Sequence, residues 1–258
     1  MPTRMASIAQ DIFLRLVRCL RLPSCCALCN MAARPADGVL CDGCRQQFLQ
    51  IGVPRCASCA IRLTVLSDAL CGACLHQQPA FDATIAAVDY RAPLDQLLLG
   101  LKFSGQLAFA PLFAELLRDA LLDHSRLDGQ TLPLPEVLLA VPLGEHRLIE
   151  RGFNQALEIA RGLSRHLGLP LLAHLPLRER ETLAQSGLPM TQRHRNIAGA
   201  FVMPAGAAAL LNGRHVGVVD DVMTTGATLD AMATVLKRHG AVRVTNLVFA
   251  RTPVGRMV

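Results

Sequence analysis

Eight of the ten cysteines stand in four Cys-x-x-Cys pairs, and successive pairs begin fifteen residues apart: Cys26 with Cys29, Cys41 with Cys44, Cys56 with Cys59, and Cys71 with Cys74. One such turn offers two thiolates, and two turns complete a tetrahedral four-cysteine zinc site. The spacing therefore predicts a double zinc ribbon over residues 25–78. The simplest pairing is sequential, with the first four of these cysteines on one ion and the last four on the other, but an interleaved pairing meets the same spacing. Cys25 is an alternative first ligand to Cys26, and Cys19 reads as a small apolar residue. Four disulfides are the competing arrangement; they require an oxidising compartment and a secretory signal, neither of which the sequence suggests. Ligation by four thiolates leaves no coordination position open, so both ions are expected to be structural.

Residues 1–24 contain apolar side chains, but Asp11, Arg15 and Arg18 interrupt them. Ile8, Ile12, Phe13, Leu16, Val17 and Leu20 share one helical face, predicting an amphipathic helix that docks on the body of the protein or on a partner. No apolar run approaches the ~18 to 20 residues of a membrane span, and a cytoplasmic protein is expected. With 52% hydrophobic and 18% charged residues among 258, the chain can bury one good core and carry a small appendage, which excludes general disorder. The net charge of +6 favours anionic partners, whether a phosphorylated ligand or nucleic acid. The absence of Trp and the single Tyr leave a base-stacking platform poorly supplied. Arg34, Arg45, Arg55 and Arg62 decorate the ribbons, either as a solvated basic surface or as a weak contact for single-stranded DNA.

After Cys74 the pattern changes, with LHQQPAF as the linker and a boundary near residue 79 that opens a second domain over 79–258. Strands are expected at Ala83–Tyr90, Val137–Val141, His215–Val219 and Val242–Arg251. Helices are expected at Leu94–Phe103, Gln106–His124, 153–167 and 228–239, with a loop around 128–135. Alternating strands and helices imply an α/β fold: a mostly parallel sheet covered by helices on both faces, with ligands outside the carboxyl ends of its strands.

The stretch VVDDVMTTGATL, Val218 to Leu229, carries the chemistry. A short β-branched run ends at Asp220 and Asp221, whose carboxylates suit vicinal hydroxyls, directly or through a hydrated Mg²⁺. Val222, Met223, Thr224, Thr225, Gly226, Ala227 and Thr228 follow as the phosphate-holding loop: hydroxyl donors, a glycine turn, and a helix start near Thr228 whose amides face an anion. The same run could be only an N-capped strand-to-helix connection. It has no Lys after the glycine turn and no GxGxxG, which disfavours a Walker A loop and a dinucleotide fold.

That stretch closely resembles the 5-phosphoribosyl-1-pyrophosphate (PRPP) signature of type I phosphoribosyltransferases. Other segments extend the likeness. VPLGEHRLIERGFNQALEIA, from Val141, looks like a pyrophosphate loop in which Arg147 and Arg151 counter leaving-group charge or pair with Glu145 and Glu150. LLLGLKFSGQ presents Lys102 at a helix end, to reach a phosphate or to snorkel. RERETLAQSGLPMTQRHRNIAGAF, basic and without apolar periodicity, reads as a lid.

Together with the cysteine knuckles, these blocks resemble the ComF family, which includes the GntX-like proteins, over nearly the whole chain. Lys102, Arg147, Arg151, Gly152, Asn154, Gln155, Gln185, Arg193, Arg195 and Asn196 carry the match. The resemblance implies a phosphoribosyltransferase-like domain behind structural zinc, Mg²⁺ with PRPP, and a link to DNA uptake and natural transformation. It leaves two readings open: a transferase with an undetermined acceptor, or a non-catalytic sensor of a phosphoribosyl ligand that docks on DNA-processing proteins or single-stranded DNA through its ribbons.

Overall fold

A computed structural model describes residues 24–33, 39–49, 53–64, 69–126, 133–175, 177–178 and 200–253. The expected leading helix, and Gln185, Arg193, Arg195 and Asn196 of the expected lid, lie outside the described residues. Contacts divide the chain into two compact units, 1–48 and 49–258.

The first unit contains a small antiparallel pair, β1 (Ser24–Cys25) and β2 (Ala32–Ala33), and a short helix α1 (Asp42–Phe48). Cys26 and Cys44 are buried, and Leu40 is fully enclosed.

The second unit is built on a four-stranded parallel sheet of order β3 (Ala83–Asp89), β8 (Arg243–Arg251), β7 (His215–Met223), β4 (Val137–Ala140). Chain order brings in α2 (Gly72–His76), α3 (Leu94–Phe103) and α4 (Phe109–Arg126), then α5 (Glu145–Arg151) and α6 (Gln155–Leu167), then α7 (Ala207–Leu211) and α8 (Ala227–Arg238). Side chains alternate across a strand, so each strand feeds two cores. Val216, Val218, Val244 and Val248 join Leu229, Met232, Ala233 and Leu236 of α8 in one cluster. Phe249, of opposite parity, stacks on Phe113 of α4 with ring centroids 3.7 Å apart. Helices therefore cover both faces, which is why the strand sequences read as nearly continuous apolar runs.

Most expected elements appear within a residue or two, but several differences matter. The strand expected at His215–Val219 runs on to Met223, because Val222 and Met223 still pair with Ala250 and Arg251 of β8. The polar segment expected as a loop after Val141 contains α5, closed by Gly152 in the left-handed region at φ 75°. The segment expected as a lid has its ends joined, since β5 (Leu177–Arg178) and β6 (Phe201–Val202) pair antiparallel, with Arg178 opposite Phe201.

The segment marked as a linker is anchored rather than loose. Ala80 N–H donates to Asp230 Oδ1 at 2.6 Å, and Val244 N–H donates to Asp82 Oδ2 at 2.7 Å. Phe81 is buried in the α8 cluster, which also takes in Cys56, Cys59, Ala60 and Cys74. The boundary near residue 79 is thus one of local sequence pattern, whereas contacts divide between Phe48 and Leu49.

Helices α4 and α6 pack against each other at Gly162, where an added Cβ would lie 2.6 Å from the Ala114 Cβ. Gly162→Ala should therefore lower unfolding free energy by about 1–3 kcal/mol, read from urea denaturation, despite alanine's better helix propensity.

Candidate functional site

Asp221, near the end of β7, draws in side chains from α3 and α6. Asp220 and Asp221 occupy consecutive positions near the end of β7 and so address opposite faces of the sheet. Asp220 is half-buried, and its Oδ1 accepts the Asp221 backbone N–H at 2.8 Å. Asp221 is buried; its Oδ2 lies 3.0 Å from Lys102 Nζ and accepts from Gln155 Nε2 at 3.2 Å. Lys102, in the last turn of α3, is therefore paired with the acidic motif rather than snorkelling.

Gln155 is the first residue of α6, and Asn154 sets where that helix starts. Its Oδ1 caps the Leu157 N–H at 3.3 Å while its Nδ2 donates to the Val141 carbonyl at 3.0 Å, tying the helix start to the end of β4. Just before it, α5 carries Arg147 and Arg151. The Arg151 guanidinium lies over the Phe103 ring, 5.2 Å from its centroid. Burial lowers the Arg151 pKa, the Asp221 charge opposes that, and Arg147 adds to it. Arg151 Nε is buried and makes no hydrogen bond among the described residues. An unpaired buried donor is costly, and a bound anion or water is one way to satisfy it.

The turn itself comprises Thr224, Thr225 and Gly226, with Val222 and Met223 belonging to the strand and Ala227 beginning α8. Gly226 caps that helix at φ 88°, ψ −3°, and an added Cβ would meet Met223 Cε at 2.6 Å. Thr225 Oγ1 accepts the Ala227 N–H at 3.4 Å, and Thr228 follows in the first helical turn. The structure thus commits Asp221 to Lys102 and Gln155.

Sequence reading assigned no role to Phe103 or Arg251 and left Gln155 without one. The available signal for Arg251 was a charged residue at the end of a buried strand, beside the strand that bears the acidic pair.

The cysteines form two groups, Cys26, Cys29, Cys41 and Cys44 in the first unit and Cys56, Cys59, Cys71 and Cys74 in the second. The grouping is sequential, and Cys25 stands exposed outside it. All four sulfurs of each group lie within 4.8 Å of one another, with Cys29 to Cys41 at 3.7 Å and Cys59 to Cys71 at 3.6 Å. Zinc–sulfur bonds of ~2.3 Å in a tetrahedron place sulfurs about 3.8 Å apart, so both groups fit zinc.

Their acidities fit as well. Burial raises the Cys26 thiol, but amides of Cys29, Cys41 and Leu28 outweigh it and bring its pKa to about 6. Cys56 is likewise lowered against burial by amides of Cys59, Cys71 and Ser58. Cys44 and Cys74 are pushed up, first by burial and then mainly by neighbouring sulfurs. Four sulfurs this crowded ionise together only when a cation shares their charge. The first knuckle of each tetrad also turns on a left-handed residue after its second cysteine, Asn30 or Ala60, both at φ 56°.

Residues 154–258 match the phosphoribosyl transferase domain family. The chain is 34% identical over 215 residues to competence protein F of Haemophilus influenzae, covering 83% of this chain and 91% of that protein. It is 33% identical over 233 residues to DNA utilization protein YhgH of Escherichia coli K12, covering 90% and 99% respectively. Competence protein ComFC of Streptococcus pneumoniae is 25% identical over 209 residues, covering 81% of this chain and 86% of that protein.

Elemental analysis of the purified chain should find two zinc ions, and Cys71→Ser together with Cys74→Ser should reduce that to one. Gly226→Ala should cost about 1–3 kcal/mol in chemical denaturation, because alanine at φ 88° is strained even if Met223 moves aside.

Proposed function

The chain belongs to the ComF family, and we propose that it is a PRPP-dependent transferase acting in DNA uptake, with the turn after β7 as its phosphate site. The observation that carries this reading is the convergence at the carboxyl end of β7. There a glycine turn opens α8, an acidic pair stands in the last four residues of β7 itself, and the buried Arg151 Nε has no hydrogen-bond partner among the described residues. Anion, diol and second anion are the three recognition tasks that PRPP sets.

In this reading the amides and hydroxyls of Thr224, Thr225, Gly226, Ala227 and Thr228 hold the 5-phosphate. Asp220, half-buried at the strand end, accepts from the ribose hydroxyls, while Asp221 is oriented by Lys102 and Gln155. Arg151 and Arg147 receive the pyrophosphate oxygens. The Asp220 carboxylate, with pyrophosphate oxygens, suits Mg²⁺, which when bound would neutralise leaving-group charge. The acceptor's lone pair forms the new bond to C1 as the C1–oxygen bond breaks. Pyrophosphate leaves with that electron pair, and the acceptor gives up its proton to solvent. Positive charge that builds on the sugar in such a transfer is met by the carboxylates, and negative charge on the leaving group by the arginines.

The names of the relatives, competence protein and DNA utilization protein, support a role in handling imported DNA. Among the described residues no helix is long and apolar enough to cross a membrane. Reduced thiol sites for zinc accord with a cytoplasmic setting. Protein partners of the uptake machinery, or single-stranded DNA, would meet the chain at its ribbons.

Asp220→Asn with Asp221→Asn should abolish Mg-dependent PRPP binding while leaving the far-ultraviolet circular dichroism unchanged. Calorimetry showing wild-type affinity in that variant would overturn the assignment. Pyrophosphate release from PRPP across a panel of bases and amines separates transfer from sensing: release with any acceptor supports the transferase, and binding without release makes the pocket a sensor.

A further inference from the structure

We propose that Arg251 is a positioning residue that couples the second cysteine tetrad to the phosphate loop, so that zinc held by the tetrad and a phosphorylated ligand on the loop strengthen each other. This rests on reading the loop as a PRPP site.

Arg251 ends β8, is buried, and has no carboxylate within ion-pair distance among the described residues. Backbone carbonyls surround its charge instead. Nε donates to the Cys59 carbonyl at 2.8 Å. Nη1 donates to the carbonyls of Met223 at 3.1 Å, Thr224 at 2.5 Å and Thr252 at 2.9 Å. A guanidinium keeps its charge at any physiological pH, so a buried one needs its acceptors in place together. One cation therefore holds a metal-ligand residue, the end of β7 and the first residue of the turn.

The direction of each carbonyl matters because a trans peptide unit is planar, with its N–H pointing opposite to its C=O. Turning the Met223 and Thr224 carbonyls inward to Arg251 turns the Thr224 and Thr225 amides away from it. These amides lead into Gly226, where the phosphate would bind. At the other end, the Cys59 carbonyl belongs to the peptide that joins a tetrad ligand to Ala60, the left-handed residue of the knuckle. The Ala60 carbonyl is itself held by Arg55 Nη1 at 3.0 Å, and Arg55 also reaches Asp89 at 2.8 Å, at the end of β3. Arg62 contacts the same Asp89 carboxylate. The knuckle is thus fastened to two strand ends, and only the Arg251 fastening continues into the phosphate loop.

Coupling of this kind is reciprocal: whatever factor the metal contributes to ligand affinity, the ligand contributes to metal retention. A residue needed only for stability would lower both without linking them. The test uses the full-length zinc-loaded chain, PRPP with excess Mg²⁺, calorimetry, and the rate of zinc transfer to a chromogenic chelator. The phase from the first tetrad is identified with Cys41→Ser and serves as an internal reference.

Saturating PRPP should slow the second-tetrad phase several-fold in the wild type and leave the first unchanged. Arg251→Lys keeps the charge but cannot reach the separated carbonyls. It should retain zinc, bind PRPP about tenfold more weakly, and show no slowing at a saturating concentration. Wild-type protein that binds PRPP yet releases second-tetrad zinc at an unchanged rate would overturn the coupling while leaving the PRPP site standing. Equal slowing in Arg251→Lys would overturn the role of Arg251. If that variant does not fold, the wild-type rates alone decide whether coupling exists, and Arg251→Met with restored solubility serves for the residue. Absence of PRPP binding in the wild type would overturn the site reading itself, and the coupling with it.

Discussion

In the β7–β8 pair, Val222 lies opposite Ala250 and Met223 opposite Arg251, so whatever follows Met223 begins beside whatever ends β8. The hydrogen bonds of parallel strands fix this register along their whole length, and burial of both faces prevents a slip. The turn after β7 therefore inherits its position from the sheet. So does Asp221, which cannot reach Lys102 and Gln155 unless β7 runs to Met223 in that register. The sheet is rigid for ordinary apolar reasons, and the polar site uses that rigidity.

The polar groups are arranged to make burial tolerable. Asp221 would be costly alone beneath α3 and α6, but an ammonium and an amide share one of its oxygens. Asp89 is treated similarly, buried with Arg55 and Arg62 close to it. Burial lowers the Arg55 pKa, and the Asp89 charge acts against that. Arg251 receives carbonyl dipoles in place of a counter-ion. Removing one member of any of these sets leaves a charge without its compensation, which costs more than the loss of a surface pair.

The sequence made legible whatever depends on local pattern. Period-two and apolar runs located all four strands of the main sheet, and helix α3 falls at Leu94–Phe103 as its spacing indicates. The cysteine spacing located both tetrads, because a ligand turn is a local object. Helix α5 was missed because EHRLIER buries none of its residues and so shows no apolar stripe to read. The place of the second tetrad in the larger unit was missed for another reason. It depends on pairs such as Arg251 with Cys59, separated by 192 residues, and no local pattern announces them. The ion pair of Lys102 with Asp221 was within reach of the sequence only as two separate candidates; their meeting is a property of how α3 packs.

The pairing of Arg178 with Phe201 has a consequence for how this molecule can vary. Once two residues are clasped, the chain between them is a closed loop whose entropic cost rises only with the logarithm of its length. Doubling that length adds about 0.6 kcal/mol. The strands on either side, by contrast, cannot gain or lose a residue without turning their side chains to the wrong face. The length of the segment between 179 and 200 can therefore change at little cost while the main sheet keeps its count. An insertion or deletion there would leave unchanged the frame that carries the acidic pair.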